Sequence, residues 1–481
     1  MALSLATLGG YGYFSDELYL IAAGRHLDWS YVDQQPLVPL LAWLADTLFP
    51  GSLIALRLVT TLAIAVGAVV TGVITRELGG GSVAQVVAAV AYGVAFITQG
   101  QTLDTGALDL VLWTLVLWLV VRWVRLREQG VDRDRLLLAA GVVTAVSLQV
   151  KLLIPLLWVL LVVSALAVGP RVLPRRPLLW AGGLIAVASA LPGLLWQAVN
   201  GWPVLEFAKV VAEEEALFGR RGVGFVVWVA LLAGIVAGTV LMVYGLWRLL
   251  ASRALRPYRF LGLAALGVFM YVGLTGGRFY HVIGVFPVLW AAGALRFESL
   301  VARRRWWWAA GPILALSACF ALMGLRWTPE SAIGQPTEEE LSDVEVSTTI
   351  SQFGWQELAD SVARVHGALP QGLREKSVIL TETYWQAGAV EVYREDRGLP
   401  PVFSGSRGYW YFGAPPRDAT TVLYVGKNPG ELRRSCGALR QAGAVEGRVG
   451  LEIGTAIWVC EQVTEPWSSL WPRLRRLEIV G

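Results

Sequence analysis

Apolar runs of membrane-crossing character fill this sequence to about Gly324 and then stop, and no other feature constrains its fold so strongly. The runs fall at residues 53–75, 83–98, 107–121, 136–150, 152–168, 178–199, 223–246, 260–275, 282–295 and 306–325. A helix needs about 20 residues to cross the hydrocarbon, so about ten spans are readable, several of them short. Hydrophobic residues make up 55% of the chain and charged residues 16%, against about 25% charged in soluble domains. This is the composition of a polytopic membrane protein. Residues 328–481 are mixed, charged and rich in turn formers, which divides the chain into a transmembrane domain, 1–327, and a C-terminal domain, 328–481.

The net charge of +4 does not point to nucleic acid, because the basic residues sit in short loops between apolar runs. Alternate loops carry more than twice as many arginines and lysines as the others, which places the basic set in the cytoplasm. The polar stretch 11–39, the turn with Asp104 and Asp109, Lys151, the loop 200–222, the segment 276–281 and the C-terminal domain then all lie outside the cytoplasmic membrane. Residues 1–10 are apolar but too short to span and lack the basic flank of a signal peptide, so a truncated first helix is expected.

Nearly every unusual polar residue of the membrane half gathers on that outer face. The first outer loop, 11–52, holds Asp16, Glu17, Arg25, His26, Asp33 and Gln34 just before an apolar run. Charged groups beside a bilayer are costly unless they face water or a partner, so this cluster reads as an active-site loop. Arg57, Lys151 and Arg278 have two readings: snorkelling cations whose stems cover apolar surface, or ligands of an anionic lipid head group through charge-assisted bonds to phosphate. The triplet Glu213, Glu214 and Glu215 reads as a solvated helix face, with substrate contact as the alternative.

The stretch GYFSDELYLIAAGRHLDWSYVDQQPLVPLLAWL, with LDLVLW at 108–113, NGWPVLEF at 200–207 and GGRFYHVIGVFPVLWAAGA at 276–294, resembles the bacterial GT-C glycosyltransferases. The similarity is to those related to dolichyl-phosphate-mannose protein mannosyltransferases and lipid A aminoarabinose transferases. Tail pieces such as FGWQELA and GYW extend it. The resemblance implies an inverting hexosyl or pentosyl transfer from a polyprenyl-phosphate sugar to an acceptor hydroxyl on a lipid, glycan, peptide or small molecule. Asp16 matches the family's catalytic aspartate, and a carboxylate within reach of the acceptor hydroxyl acts as general base. Glu17, a catalytic candidate alongside Asp16, points away from it, to orient a partner or fix local structure, with a substrate-ligand role as the alternative. Asp33 and Gln34 match an acid-plus-polar segment, although Gln35 stands where a proline is usual.

Asp109 matches an acidic family position at the outer start of a helix, where it either complements the helix dipole or serves a donor or metal site. His26 reads as a switchable base or a structural hydrogen-bonding residue. Arg278, Tyr280 and His281 stand in a segment that carries lysine and aromatics in relatives; arginine keeps the charge for a lipid phosphate, and His281 is the weakest of the three as a ligand. No closely spaced metal-ligand motif is present, and dependence on a divalent metal is left open.

The C-terminal domain reads as a small α/β layer, with strands in SVILTET, TVLYVG and AIWVCEQV and helices in QELADSVARVHGAL and PGELRRSCGALRQAG. Cys436 and Cys460 could be neighbours, and an oxidising compartment permits a disulfide between them. YWQAGAVEVY and SGSRGYW depart from the family pattern. The expectation is an α-helical polytopic GT-C-type enzyme with an extracytoplasmic α/β domain, dealing with membrane lipids and not with nucleic acid. A polyprenyl-linked lipid or sugar flippase is the alternative, although a transporter would place polar residues within the helices.

Overall fold

The computed structural model describes residues 2–296, 315–319, 322, 324–337, 340–342 and 344–478. The expected span at 306–325 lies largely outside them. Helices dominate the first half: α1 (Ala2–Thr7), α2 (Ser15–Arg25), α3 (Leu37–Leu48), α4 (Leu53–Glu77), α5 (Ser82–Phe96), α6 (Thr105–Glu128), α7 (Arg135–Leu148), α8 (Ile154–Val168), α9 (Pro177–Val199), α10 (Pro203–Leu217), α11 (Val223–Leu232), α12 (Ile235–Ala251), α13 (Arg259–Thr275) and α14 (Phe286–Ala294). The chain forms two compact units. One comprises Met1–Thr7, Gln34–Leu37 and Arg57–Leu325, the other Leu8–Asp33, Val38–Leu56 and Arg326–Gly481. Most of residues 11–52 thus fold with the C-terminal segment.

In the first unit the helices bury an aromatic core that includes Trp113, Trp123, Trp290, Tyr92, Phe96, Phe260 and Phe286. Their outer faces are also apolar: Leu184, Val187 and Val199 on α9 are 70%, 60% and 86% exposed. A helix apolar all round requires an apolar solvent, so these faces are lipid-facing. The chain is a multi-pass membrane protein. By length and composition four helices cross alone among the described residues, or five if one bent pair is a single span, fewer than the ten runs in the sequence. The difference is length, since α5, α7 and α8 have 15, 14 and 15 residues. The run 223–246 is not one straight helix. It bends by 104° between α11 and α12, at Gly234 and Ile235, both with positive φ.

Close packing of α7 on α9 rests on two glycines. A Cβ on Gly141 would lie 2.2 Å from the Gly182 Cα atom, whereas Gly183 has open space around it. Small residues let membrane helices approach this closely, where dispersion rather than water exclusion holds them together.

The second unit contains a five-stranded sheet: β1 (Ser377–Thr381), β2 (Val402–Ser404), β3 (Thr421–Val425), β4 (Leu439–Ala444) and β5 (Ala456–Cys460). The order is β2-β1-β3-β5-β4. β1 runs parallel to β2 and β3, while β5 is antiparallel to both β3 and β4. Helix Tyr384–Tyr393 connects β1 to β2, opened by a Thr383 side chain that accepts from the Gln386 N–H. The expected helix at 429–443 is present only as Gly430–Arg434; beyond it the chain becomes edge strand β4. Cys436 and Cys460 form a disulfide with Cα atoms 5.8 Å apart, which pins the approach to β4 onto the end of β5.

Gly141→Val should lower the thermal midpoint of the detergent-solubilised chain by forcing α7 from α9, while Gly183→Ala should leave it unchanged or raise stability by up to about 1 kcal/mol through helix propensity. A thermal melt of both variants checks the pair, and equal destabilisation would contradict the packing argument.

Candidate active site

Asp16 stands in the first turn of α2, half-buried, and accepts a 2.8 Å hydrogen bond from the Tyr384 hydroxyl. Glu17, one residue on, is fully buried and turned back on the chain: its Oε2 accepts from the Phe14 N–H at 2.8 Å. That bond satisfies a backbone donor at the helix start. The two adjacent carboxylates therefore have different environments, one holding the helix end and one meeting a phenol.

Tyr384 packs edge-on against Tyr19, with ring centroids 4.9 Å apart. The Tyr19 hydroxyl donates to Asp33 Oδ1 at 3.0 Å. Arg407 lays its guanidinium over the Tyr384 ring, 5.0 Å from the centroid, and acts electrostatically on Asp33. Its backbone has φ +48°, an uncommon conformation for a side-chain-bearing residue. Its backbone N–H donates to the Arg476 carbonyl at 2.7 Å and its Nε to the Leu477 carbonyl at 3.3 Å, so both the main chain and the guanidinium of Arg407 are held by this segment.

Burial is the first cause that raises the Asp33 carboxyl to about 6; Arg407 and the Tyr19 hydroxyl oppose it, and Asp16 adds to it. Burial, with the neighbouring carboxylates, also pushes the Tyr19 and Tyr384 hydroxyls well up. Both phenols therefore remain donors at neutral pH. The network offers Asp16 one fixed donor, while burial holds the Asp33 carboxyl closer to its neutral form than an ordinary carboxylate.

His26 takes a structural place. Its Nε2 lies 3.0 Å from Glu391 Oε1, its ring stacks on Phe412 at 4.7 Å, and the other Glu391 oxygen accepts from the Tyr409 hydroxyl. Beside it Arg25 donates to the Glu391 carbonyl and pairs with Asp46, each at 3.0 Å.

In the first unit a second polar cluster forms. Lys151 sits 5.0 Å over the Tyr280 ring and within electrostatic reach of Asp109 and His281. Asp109 is buried and accepts from the Ser147 hydroxyl at 3.3 Å. It is not the helix cap: Asp104 fills that position, accepting from the Ala107 N–H at 2.8 Å. Arg278 bridges Glu214 at 2.7 Å and Glu215 at 3.1 Å. Both glutamates are buried, which overturns the reading of the triplet as a solvated face; Glu213 alone is exposed. Arg57 is fully buried, which is inconsistent with snorkelling. Gln34 is buried with its amide nitrogen unpartnered among the described residues, and the Leu37 N–H donates to the Gln149 carbonyl at 2.9 Å, tying this segment to the end of α7.

The site residues read from sequence thus fall in two groups: Asp16, Glu17, His26 and Asp33 in one unit, and Gln34, Arg57, Asp109, Lys151, Arg278, Tyr280 and His281 in the other. Sequence reasoning missed Tyr384 and Arg407 as partners, although both lie in the two tail segments that depart from the family pattern. No group of three His, Cys, Asp or Glu side chains among the described residues converges as a metal set.

Residues 33–196 match the family model of the dolichyl-phosphate-mannose-protein mannosyltransferases. ArnT from Cupriavidus metallidurans bound to undecaprenyl phosphate superposes with a TM-score of 0.59 at 13% identity, covering 96% of this chain and 96% of that one. Its apo form gives 0.59 and 13%, covering 98% and 96%. This chain shares the overall fold of these ArnT structures. The GT-C fold places a mostly helical membrane unit with a small C-terminal sheet unit in one chain, as found here. An oligosaccharyltransferase from Archaeoglobus fulgidus shows a TM-score of 0.44 at 13% identity, over 80% of this chain and 60% of that one. No curated protein matches the sequence.

Because Asp33 holds its proton more tightly folded, near 6, than the ordinary carboxylate value of 3.8, its contribution to stability is full at low pH and is lost as pH rises through about 6. Asp33→Asn removes that loss. The thermal midpoint of the variant relative to wild type should therefore rise between about pH 4 and pH 6 and level off above, whatever its constant offset. A pH-independent difference would remove Asp33 from the balance described.

Proposed function

We propose that the protein is an inverting glycosyltransferase that moves a sugar from a polyprenyl-phosphate donor to an acceptor hydroxyl, with Asp16 as general base. The carrying observation is the Asp16 carboxylate, half-buried at the start of α2 and held by the Tyr384 hydroxyl at 2.8 Å. One oxygen is oriented by the phenol, leaving the carboxylate's remaining lone pairs for an acceptor proton. As that proton moves to Asp16, the acceptor oxygen forms its bond to the anomeric carbon from the face opposite the phosphate. The bond between anomeric carbon and phosphate oxygen breaks, and its electron pair leaves on the lipid phosphate. The leaving group is already a stable anion, so no general acid is required.

The donor class is supported by ArnT, which binds undecaprenyl phosphate, and by the cations of the first unit. Lys151, steadied over Tyr280, and Arg278, fixed by Glu214 and Glu215, are the groups suited to the lipid phosphate, with Arg57 as a third. Each supplies charge-assisted bonds in a low-dielectric setting, where they are strongest. For a metal, Asp16 and Asp33 are the carboxylates that would contribute; a hard cation needs about six oxygen ligands, so most would come from substrate and water. The Cys436–Cys460 disulfide supports an extracytoplasmic position for the second unit, since disulfides persist in oxidising compartments.

Asp16→Asn should leave insertion and donor binding intact and lower turnover by about 10²–10⁴-fold, the range of general-base loss. Turnover with a polyprenyl-phosphate sugar and its acceptor measures it, and near-wild-type activity would move the base role to another carboxylate. Lys151→Gln should weaken the affinity for polyprenyl phosphate by about tenfold, from the loss of one charge-assisted bond, and acceptor affinity little. Unchanged donor affinity in direct binding would remove Lys151 from the phosphate site.

A further inference from the structure

The sheet of the second unit has a topological reversal that the transfer reaction does not use. From β1 the chain passes through helix Tyr384–Tyr393 to β2 on one side, then crosses to β3 on the other side of β1. In open sheets with parallel strands, ligands bind in the crevice outside the carboxyl ends where the strand order reverses. At that place, between β1 and β3, lies a cavity of about 430 Å³. Thr381 ends β1 in its wall, Gly405 follows β2, and Tyr424 comes from β3. The volume falls within the range of small-molecule sites.

The charge lining is one-sided. Arg433, Arg434, Arg473 and Arg476 line the cavity together with one carboxylate, Glu431, while Glu465 and Glu382 pair with two of them from outside the lining. Arg434 and Arg473 pair with Glu431 at 2.7 and 3.3 Å, and Arg473 also with Glu465 at 2.9 Å. Arg476 lies 3.9 Å from Glu382. The side chains of Arg434, Arg473 and Arg476 are 78%, 42% and 43% exposed, and surface pairs of this kind contribute little to stability. An incoming multivalent oxyanion can therefore exchange with the glutamates at small cost. The backbone beneath is fixed, because the Arg476 N–H donates to the Gly405 carbonyl at 2.8 Å, and a Cβ on Gly405 would lie 1.9 Å from the Leu474 carbonyl oxygen. Arg433 is steadied over the Trp458 ring at 5.5 Å. Guanidinium forks presented on a rigid edge suit planar or tetrahedral oxyanions.

We infer that this crevice is a binding site for a sugar-sized ligand bearing phosphate or carboxylate groups, held by Arg433, Arg434, Arg473 and Arg476. The inference stands apart from the glycosyl transfer and survives its failure. Titration calorimetry on the detergent-solubilised full chain, with pyrophosphate and with citrate as probes, tests it. Saturable binding of either is expected, the preferred probe telling phosphate from carboxylate, with affinity falling as salt rises. Arg434→Gln and Arg433→Gln, whose exposed side chains leave the fold intact, should each weaken that binding by about tenfold, as for loss of one hydrogen bond to a charged group. Arg364→Gln, which removes a surface arginine paired with Glu446 outside the cavity, should not. Absence of saturable binding for both probes, or binding that all three variants leave equal or weaken equally, overturns the assignment.

Discussion

The arrangement around Asp16 depends on how closely α2 lies against helix Tyr384–Tyr393. A Cβ on Gly388 would come within 2.8 Å of the Leu18 carbonyl carbon and 2.9 Å of the Tyr19 nitrogen. Only a residue without a side chain permits backbone contact at that point, and the contact brings the Tyr384 phenol to Asp16 and its ring against Tyr19. A second glycine does related work: a Cβ on Gly408 would strike the Tyr19 hydroxyl at 1.9 Å, the group that bonds Asp33. The polar network is positioned by missing methyl groups as much as by its own hydrogen bonds.

In the membrane unit the governing term is electrostatic. Arg278 is flanked by Glu214 and Glu215, and Arg220 stands 3.4 Å from Glu215 while its guanidinium lies over Trp228 and Phe279 at 5.3 Å from each ring. Two arginines against two buried glutamates give a neutral assembly, the form in which such charges tolerate a low dielectric. Removing one member strands another, at a cost of roughly 3–5 kcal/mol. The aromatic faces add cation–π attraction where water is scarce. The assembly fixes the end of α10 to the segment before α14.

Much of this was legible in the sequence, and the gaps have physical reasons. The stretch around Asp16 was readable as a candidate site because acids, aromatics and the following apolar run sit together, while Asp16 itself was singled out by the resemblance to known transferases. Its partner was not, since Tyr384 lies 368 residues away and a phenol in a helix carries no local mark of its bond. Glu214 and Glu215 read as a solvated face because charge runs usually are; their partner Arg278 is 64 and 63 residues distant. Residues 429–443 carry helix-like charges, but the edge strand Leu439–Ala444 has little alternation in burial to reveal it. The bend between α11 and α12 interrupts an unbroken apolar run, where only Gly234 hinted at a turn.

The wide separation of Asp16 and Tyr384 also orders events in the life of the chain. Helix α2 leaves the ribosome first, and the intervening membrane helices must be synthesised before its partner exists. Arg407 then waits for the Arg476 and Leu477 carbonyls that hold it. Contacts this distant form late because the loop they close is long. The carboxylate is made 368 residues before the phenol that meets it, so the membrane helices between them are synthesised before the site is assembled, and a chain stopped short of Tyr384 lacks the network around Asp16.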